Sequence, residues 1–456
     1  MNSLERKIDI RSVLKFTLPS IVMMVVMSLY TVVDGTFVSR LVGTNAFSAV
    51  NIVYPMLSVT IGLGAMFGTG TTAIVAMKMG AGRQREACET LTFIVLVTIG
   101  IGAVSSLVSL VYLKEILYAL GANDTIYEDC WNYALPLVFF FMANILQIQF
   151  QALYVADGKP QVGLVVTIAG GLANVVLDYV FIAWFHMGIA GAAAATGIGY
   201  SIPALYGLFY FGFNRKGSLH FVRPRINMRA LGHAASNGSS EMVNYLSTSI
   251  TTFLFNIIMM RLVGPDGVAA IAILLYLDFV LIAISLGYSM GVAPLISYYY
   301  GADRAGELKR LFRISAGFCG AVGIVMTSGT VLFAEQLAGI FTGRGTAVFE
   351  LAAAGLRIYA FGYLFKSYNV FASAMFTAYG NGVVSAILSF MRTLVFLVVS
   401  LIGLSVLFGV EGVWYASPAA ELPAMVLALY YTVKYRKKYR YWESGDRLAW
   451  NCGNEG

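Results

Sequence analysis

The sequence predicts an all-α integral membrane protein of twelve transmembrane helices, arranged as two parallel six-helix bundles related by a pseudo-twofold axis along the membrane normal. Three observations carry this. Charge is scarce: 59% of the 456 residues are hydrophobic and 12% charged, against about 25% charged in soluble domains, and the mean hydropathy is +0.76. The charges are also clustered, so that Leu41 to Met77 and Leu91 to Leu113 contain none. Finally, the basic residues fall on one side of the spans that these runs define.

Crossing a hydrocarbon core of about 30 Å takes roughly 20 apolar residues. Hydropathy and turn punctuation place the first six spans at 14–35, 47–77, 91–113, 131–154, 162–184 and 189–213. The second six fall at 233–260, 268–298, 314–334, 352–377, 383–408 and 412–434. Soluble helices this apolar and this numerous would have no polar face to show to water. The expected organisation is a first lobe over 1–213, a basic linker over 214–230, a second lobe over 231–434 and a tail over 435–456. On the side holding the N-terminus there are 23 Lys and Arg, on the opposite side 4. The positive-inside rule then puts both termini in the cytoplasm, around an even number of crossings in the plasma (inner) membrane. The polar, basic stretch Met1 to Lys15 reads as a cytosolic tail, not as a cleaved signal peptide.

The halves repeat. Arg40-Leu41-Val42-Gly43 recurs as Arg261-Leu262-Val263-Gly264, and the same offset of 221 carries Gly70 to Gly291, Gly80-Ala81 to Gly301-Ala302 and Arg83 to Arg304. Six spans per half mean that both copies enter the membrane in the same direction, which gives a parallel repeat. Within the second span, Gly64 and Gly68 lie four apart, a spacing for close helix packing.

Several functions are excluded or disfavoured. The four cysteines, Cys88, Cys130, Cys319 and Cys452, form neither a CxxC pair nor a zinc spacing. No nucleotide-binding loop or hydrolase motif is present, so the expectation is a non-enzyme without a cofactor. The net charge of +7 lies in short loops beside apolar spans and does not mark a nucleic-acid partner.

Ionisable residues inside spans are the informative group, because burying a charge in lipid costs several kcal/mol or more. Asp34 lies in the first span, and Asn174 and Asp178 lie four residues apart on one face of the fifth. Desolvation and a neighbouring carboxylate both favour protonation, so such a pair can hold a proton, or a sodium ion with help from the Asn carbonyl. Alternatively, Asp34 and Asp178 are solvated caps near the outer interface. In the second half, Glu241 heads a polar face with Asn244, Tyr245 and Thr248, while Asp278, Lys366, Arg392 and Glu421 are isolated in apolar runs. For these, structural ion pairs and contacts to a transported compound remain equally open. At the repeat offset Asp34 maps to Phe255 and Asp178 to Val399, so the halves do not share their acids. Pro19 either bends the first helix or sits in its first turn. The triplets Phe139-Phe140-Phe141 and Tyr298-Tyr299-Tyr300 read as lipid-facing or interfacial aromatics.

Leu18-Pro19, Val33-Asp34-Gly35-Thr36-Phe37-Val38, Gly80-Ala81-Gly82-Arg83, Asn174-Val175-Val176-Leu177-Asp178 and Gly291 to Ala302 together resemble the multidrug and toxic compound extrusion (MATE) transporters, over nearly the whole chain. The likeness is to the prokaryotic branch related to the DNA-damage-inducible members. It implies a cation-coupled (H+ or Na+) antiporter that exports amphipathic, often cationic compounds by alternating access between its lobes. It further implies a cation or proton site at Asp34, Asn174, Asp178 and Thr196, with sodium possible at the first three, and bending of the first helix at Pro19. Glu241, Tyr245 and Asp278 become substrate-cavity residues, and the protein is expected as a monomer in the lipid bilayer. Two other readings stay open: a lipid-linked oligosaccharide flippase of the same superfamily, and a membrane sensor or scaffold that transports nothing.

Overall fold

A computed structural model describes residues 4–37, 44–214 and 217–442, including all of their side chains except those of 32–37 and 44–47. The Asp34 side chain, the repeat copy at 40–43, Arg215, Lys216 and the tail from 443 therefore lie outside the described residues. Among the described residues the fold is entirely helical. The first lobe comprises α1 (Ile10–Phe37), α2 (Thr44–Gly80), α3 (Gln84–Val111), the short α4 (Leu113–Ala119), α5 (Tyr127–Phe139), α6 (Phe141–Ala156), α7 (Pro160–Asp178) with a π turn at Tyr179–Trp184, and α8 (Gly188–Phe213). The second comprises α9 (Met228–Leu262), α10 (Pro265–Gly301), α11 (Ala305–Leu332), the short α12 (Ala334–Phe341), α13 (Ala347–Tyr359), α14 (Tyr363–Ala378), α15 (Gly382–Phe390), a π turn at Met391–Phe396, α16 (Leu397–Phe408) and α17 (Val410–Tyr439). Ten of these passages are long and apolar enough to span a membrane alone; α5 and α6, which meet at a 57° bend, make an eleventh, and α17 completes the expected twelve.

The helix starts follow local chemistry. Asp9, Asn227, Thr346 and Asn381 cap α1, α9, α13 and α15 by accepting the backbone N–H three residues on. Pro160 and Pro265 open α7 and α10, where the missing N–H costs nothing. Pro19 is well inside α1, which starts at Ile10, so the first-turn alternative does not hold. It leaves the Lys15 carbonyl without its helical donor.

The repeat read from sequence is a repeat of structure. Helices α2 and α10 both run 37 residues and α3 and α11 both run 28, each pair at the offset of 221. The break at Phe140 between α5 and α6 recurs as the 3-10 turn Ala360–Gly362 between α13 and α14. Lobe meets lobe through the same symmetry: a Cβ on Gly80 would overlap the Tyr298 carbonyl, and one on Gly301 the Met77 carbonyl. Within the first lobe, Gly64 and Gly68 let α2 lie directly on Ile145, Ile148 and Gln149 of α6.

The Tyr298-Tyr299-Tyr300 triplet corrects an expectation. Tyr298 and Tyr299 are buried, not lipid-facing. The Tyr299 hydroxyl donates to the Arg6 carbonyl at 2.6 Å and accepts the Arg6 N–H at 3.1 Å. Arg304 pairs with Glu5 at 3.3 Å, and Arg440 with Asp303 at 3.0 Å. Both described ends of the chain thus meet at the turn between α10 and α11, on one face of the molecule.

Candidate functional site

In the first lobe, glycines set the site. Gly170 of α7 packs against the Gly199 carbonyl of α8, and Gly199 lies against the Asn174 Cβ. This close approach puts Asn174 beside Thr196: the Asn174 Nδ2 donates to the Thr196 Oγ1 at 3.4 Å. Both are buried, and Asp178, one turn beyond Asn174 at the end of α7, is fully buried. That burial argues against a solvated cap. Asp178 immediately precedes the π turn at Tyr179–Trp184, a feature that re-aims side chains and is frequent at functional positions. The Tyr30 ring of α1 covers Gly171 of α7. Asp34 follows Tyr30 by one turn, so the backbone brings it alongside the Asn174–Asp178 stretch.

A small pocket, with about 10 Å³ of accessible space, lies between α1, α6, α7 and α8, lined among others by Tyr30, Gln147, Thr167, Asn174, Thr196 and Tyr200. Sequence reasoning missed the amides of α6. Asn144, Gln147 and Gln151 form a polar line on this helix: Asn144 donates to Thr60 at 2.9 Å, Gln147 to Asn144 at 3.1 Å and Gln151 to Thr167 at 3.2 Å. Their spacing of three and four was the available signal. The Asn174 Oδ1 is buried and accepts no hydrogen bond from the described residues. A buried acceptor of this kind costs about 1–3 kcal/mol, and a proton-bearing or cationic ligand would offset it.

The second lobe is built differently. Lys366 on α14 donates to both Asp278 oxygens at 2.8 Å, with the two side chains only 13% and 15% exposed. Arg392, in the π turn Met391–Phe396, lies 3.6 Å from Glu421 of α17. Asn369 holds Glu421 at 2.7 Å, and Arg392 also donates to Asn244 at 3.4 Å. Asn244 in turn is within hydrogen-bonding reach of Glu241. Glu241 and Tyr245 are half-buried on α9, where Gly62 of α2 packs against Met242 and Tyr245 and Ser249 donates to Ser58 at 3.0 Å across the lobes. The structure therefore joins Asn174 to Thr196, leaves Asp178 one turn along α7 and outside the pocket lining, and puts Glu241 and Tyr245 at the seam between lobes. Asp278 is taken up in an ion pair. Among the described residues, no three His, Cys, Asp or Glu side chains cluster as a metal site.

Two parallel copies of a six-helix bundle, meeting along α1, α2, α9 and α10, are the architecture of a two-lobed membrane transporter. The chain belongs to the MatE family, whose model matches it twice, over residues 19–180 and 242–402. Among curated relatives, the multidrug export protein MepA of Staphylococcus aureus (strain NCTC 8325 / PS 47) is 24% identical over 412 residues, covering 90% of each chain. MepA of Staphylococcus saprophyticus is 24% identical over 447 residues, covering 93% of this chain and 94% of its own. Among solved structures, the outward-facing conformation of a multidrug resistance MATE family transporter of the MOP superfamily superimposes with a TM-score of 0.90 at 22% identity, covering 96% of this chain and 98% of that one. A MATE structure in the bent conformation gives 0.84 at 22% identity, covering 94% and 95%.

Proposed function

We propose that the protein is a secondary active exporter of amphipathic, cationic compounds, working by alternating access and driven by proton or sodium entry at the first-lobe site. The observation that carries this reading is the buried Asn174–Thr196 pair with an unused acceptor at the Asn174 Oδ1, one turn along α7 from the buried Asp178. MepA's role in multidrug export supports the substrate class. The orientation with both termini cytosolic follows from the charge asymmetry.

The residues fit either coupling ion. A proton would reside on the Asp178 carboxylate. A sodium ion would be held by the hard oxygens of Asp178, Asn174 and Thr196, with Asp34 brought alongside by α1. Neutralising the carboxylate removes the cost of packing α1 and α7 tightly around it. The ion can drive the change only through its preference for one packing over the other. Pro19 gives α1 a place to bend as the packing changes. At the seam, Glu241 makes no ion pair among the described residues, whereas Asp278 and Glu421 face Lys366 and Arg392. It supplies the attraction for a cationic compound, with Tyr245 beside it for stacking. A flippase for pyrophosphate-linked sugars needs free cations in the cavity, and the two buried cations Lys366 and Arg392 have carboxylate partners.

The test is efflux of ethidium from vesicles or cells under separately imposed proton and sodium gradients, for wild type, Asp34→Asn and Asp178→Asn. Efflux under one gradient only, lost in both variants while the protein stays in the membrane, is the expected result and names the ion. Variants that keep wild-type efflux would remove the carboxylates from the mechanism.

A further inference from the structure

We propose that the face carrying both chain ends holds a headgroup site for an anionic phospholipid, in a groove between the start of α1 and α11. The groove has an empty volume of about 820 Å³, part of it open to solvent, and it is lined by Asp9, Ile10, Arg11, Arg310, Arg313 and Ile314 together with Ile8. Arg11 is the second residue of α1, while Arg310 and Arg313 are one turn apart near the start of α11. Both helices enter the membrane from this face, so the three guanidiniums converge at headgroup depth. The walls continue the site toward the lipid: Ile10 is 63% exposed, and Ile314 begins the long apolar stretch of α11.

The charge balance favours an anion. Arg11 and Arg313 make no ion pair among the described residues, and Arg310 has only the 3.6 Å contact with Glu307 on its own helix. The one acid in the groove, Asp9, caps α1 by accepting the Ser12 N–H at 2.8 Å. Guanidinium forks match phosphate oxygens in pairs. A free phosphate offers the same oxygens but leaves the isoleucine wall bare, which is why the lipid is the occupant. The basic residues Arg223, Arg225 and Arg229 lie outside this groove and serve as the contrast.

The site joins the lobes. Arg11 belongs to the first, Arg310 and Arg313 to the second, and the segment before α1 is already tied to the α10–α11 turn through Arg6–Tyr299 and Glu5–Arg304. A phosphodiester gripped from both sides stabilises the arrangement in which the lobes touch at Gly80 and Gly301, relative to one in which α1 and α11 part. This reading needs only the membrane fold, so its failure would leave the exporter reading untouched.

The experiment reconstitutes full-length protein in nanodiscs of phosphatidylcholine with increasing phosphatidylglycerol and counts the retained lipid by native mass spectrometry. Wild type and the control R223Q/R225Q/R229Q should retain phosphatidylglycerol equally. R11Q/R310Q/R313Q should weaken retention by about fivefold for each arginine removed. The matching triple Lys variant, which keeps the charge but loses the forks, should fall between. Wild-type retention should also survive tens of millimolar inorganic phosphate. If the groove variant retains lipid within twofold of wild type, if the control loses as much, or if inorganic phosphate displaces the lipid, the proposal is overturned. Should the glutamine triple fail to elute as a single species, the Lys triple against the control decides, with equal retention counting against the site.

Discussion

The fifth helix of the first lobe, α7, and the fifth of the second, α15–α16, each carry a π turn, at different places along the helix, and are charged oppositely. Asp178 immediately precedes the turn at Tyr179–Trp184; Arg392 is the second residue of the turn at Met391–Phe396. Their surroundings differ in kind. Asp178 follows Asn174 by one turn, and Asn174 pairs with the neutral Thr196, in a lobe where α6 contributes the amides of Asn144, Gln147 and Gln151. Arg392 is drawn toward Glu421, as Lys366 is toward Asp278. A salt bridge satisfies its own charges and leaves little for an external ion, whereas the unused Asn174 Oδ1 keeps that capacity. Duplication has preserved the scaffold to the residue in α2 and α10, while the two copies divide the chemistry. On the reading proposed above, the first answers an ion and the second holds its shape around the seam.

This division is broken most directly by removing one acid from each lobe. Asp178→Asn is close to isosteric and should leave thermal stability nearly unchanged while abolishing gradient-driven ethidium efflux. Asp278→Ala strands Lys366 in a buried site and should cost about 3–5 kcal/mol. Because the harm lies in the uncompensated charge, the double variant Asp278→Leu/Lys366→Met should recover most of the loss. Thermal unfolding in detergent, read beside efflux, distinguishes these outcomes. A stable Asp278→Ala, or a double variant as unstable as the single one, would mean that the pair is not what holds the second lobe. Glu421→Gln should cost less than Asp278→Ala. The Arg392 contact is longer at 3.6 Å, and glutamine can still accept from Asn369. An expected loss of about 1–3 kcal/mol is checked in the same unfolding series.

The seam supplies an intermediate effect. Gly80→Val and Gly301→Val each place a side chain against a backbone carbonyl of the other lobe, so both should separate the lobes on the face carrying the chain ends. Spin labels across that face should show longer distances in either variant, and the two should behave alike because the contacts are related by the repeat. An effect from only one of them would show that the halves close unequally.

The architecture could be read from the chain because membrane insertion and duplication leave coarse, long-range marks: charge-free runs, one-sided basic loops and a constant 221-residue register. Asp178 and Asn174 could be singled out because polar groups are expensive in lipid, while Thr196 came only through the family resemblance. What sequence could not supply was partnership. Asp278 read equally as a substrate contact or as half of an ion pair, since Lys366 is 88 residues away and only the packing of α10 on α14 joins them. Tyr299 read as an interfacial aromatic because nothing local shows that the N-terminal segment folds back onto it. The glycines of α7 and α8 were equally silent until the Gly170–Gly199 approach showed why Asn174 reaches Thr196.

The finest contrast concerns that last hydrogen bond. At 3.4 Å it is weak, and hydrogen bonds between neutral groups contribute about 0.5–1.5 kcal/mol net. Thr196→Val keeps the shape and removes the acceptor that orients the Asn174 carboxamide. Without it the Asn174 Oδ1 is no longer aimed by its own amide, so the ion must supply the orientation when it binds. The ion concentration for half-maximal efflux should rise by about 2–10-fold, the equivalent of that energy, with the maximal rate little changed, while Thr196→Ser should behave as wild type. The corresponding test in the second lobe is Ser385→Ala, which cuts into the hydroxyl cluster of Ser373, Thr377 and Ser389. If the lobes divide their chemistry as argued, Ser385→Ala lowers stability slightly and leaves the ion dependence where it was. A shift in ion dependence of equal size from both substitutions would place ion binding in both lobes and dissolve the distinction.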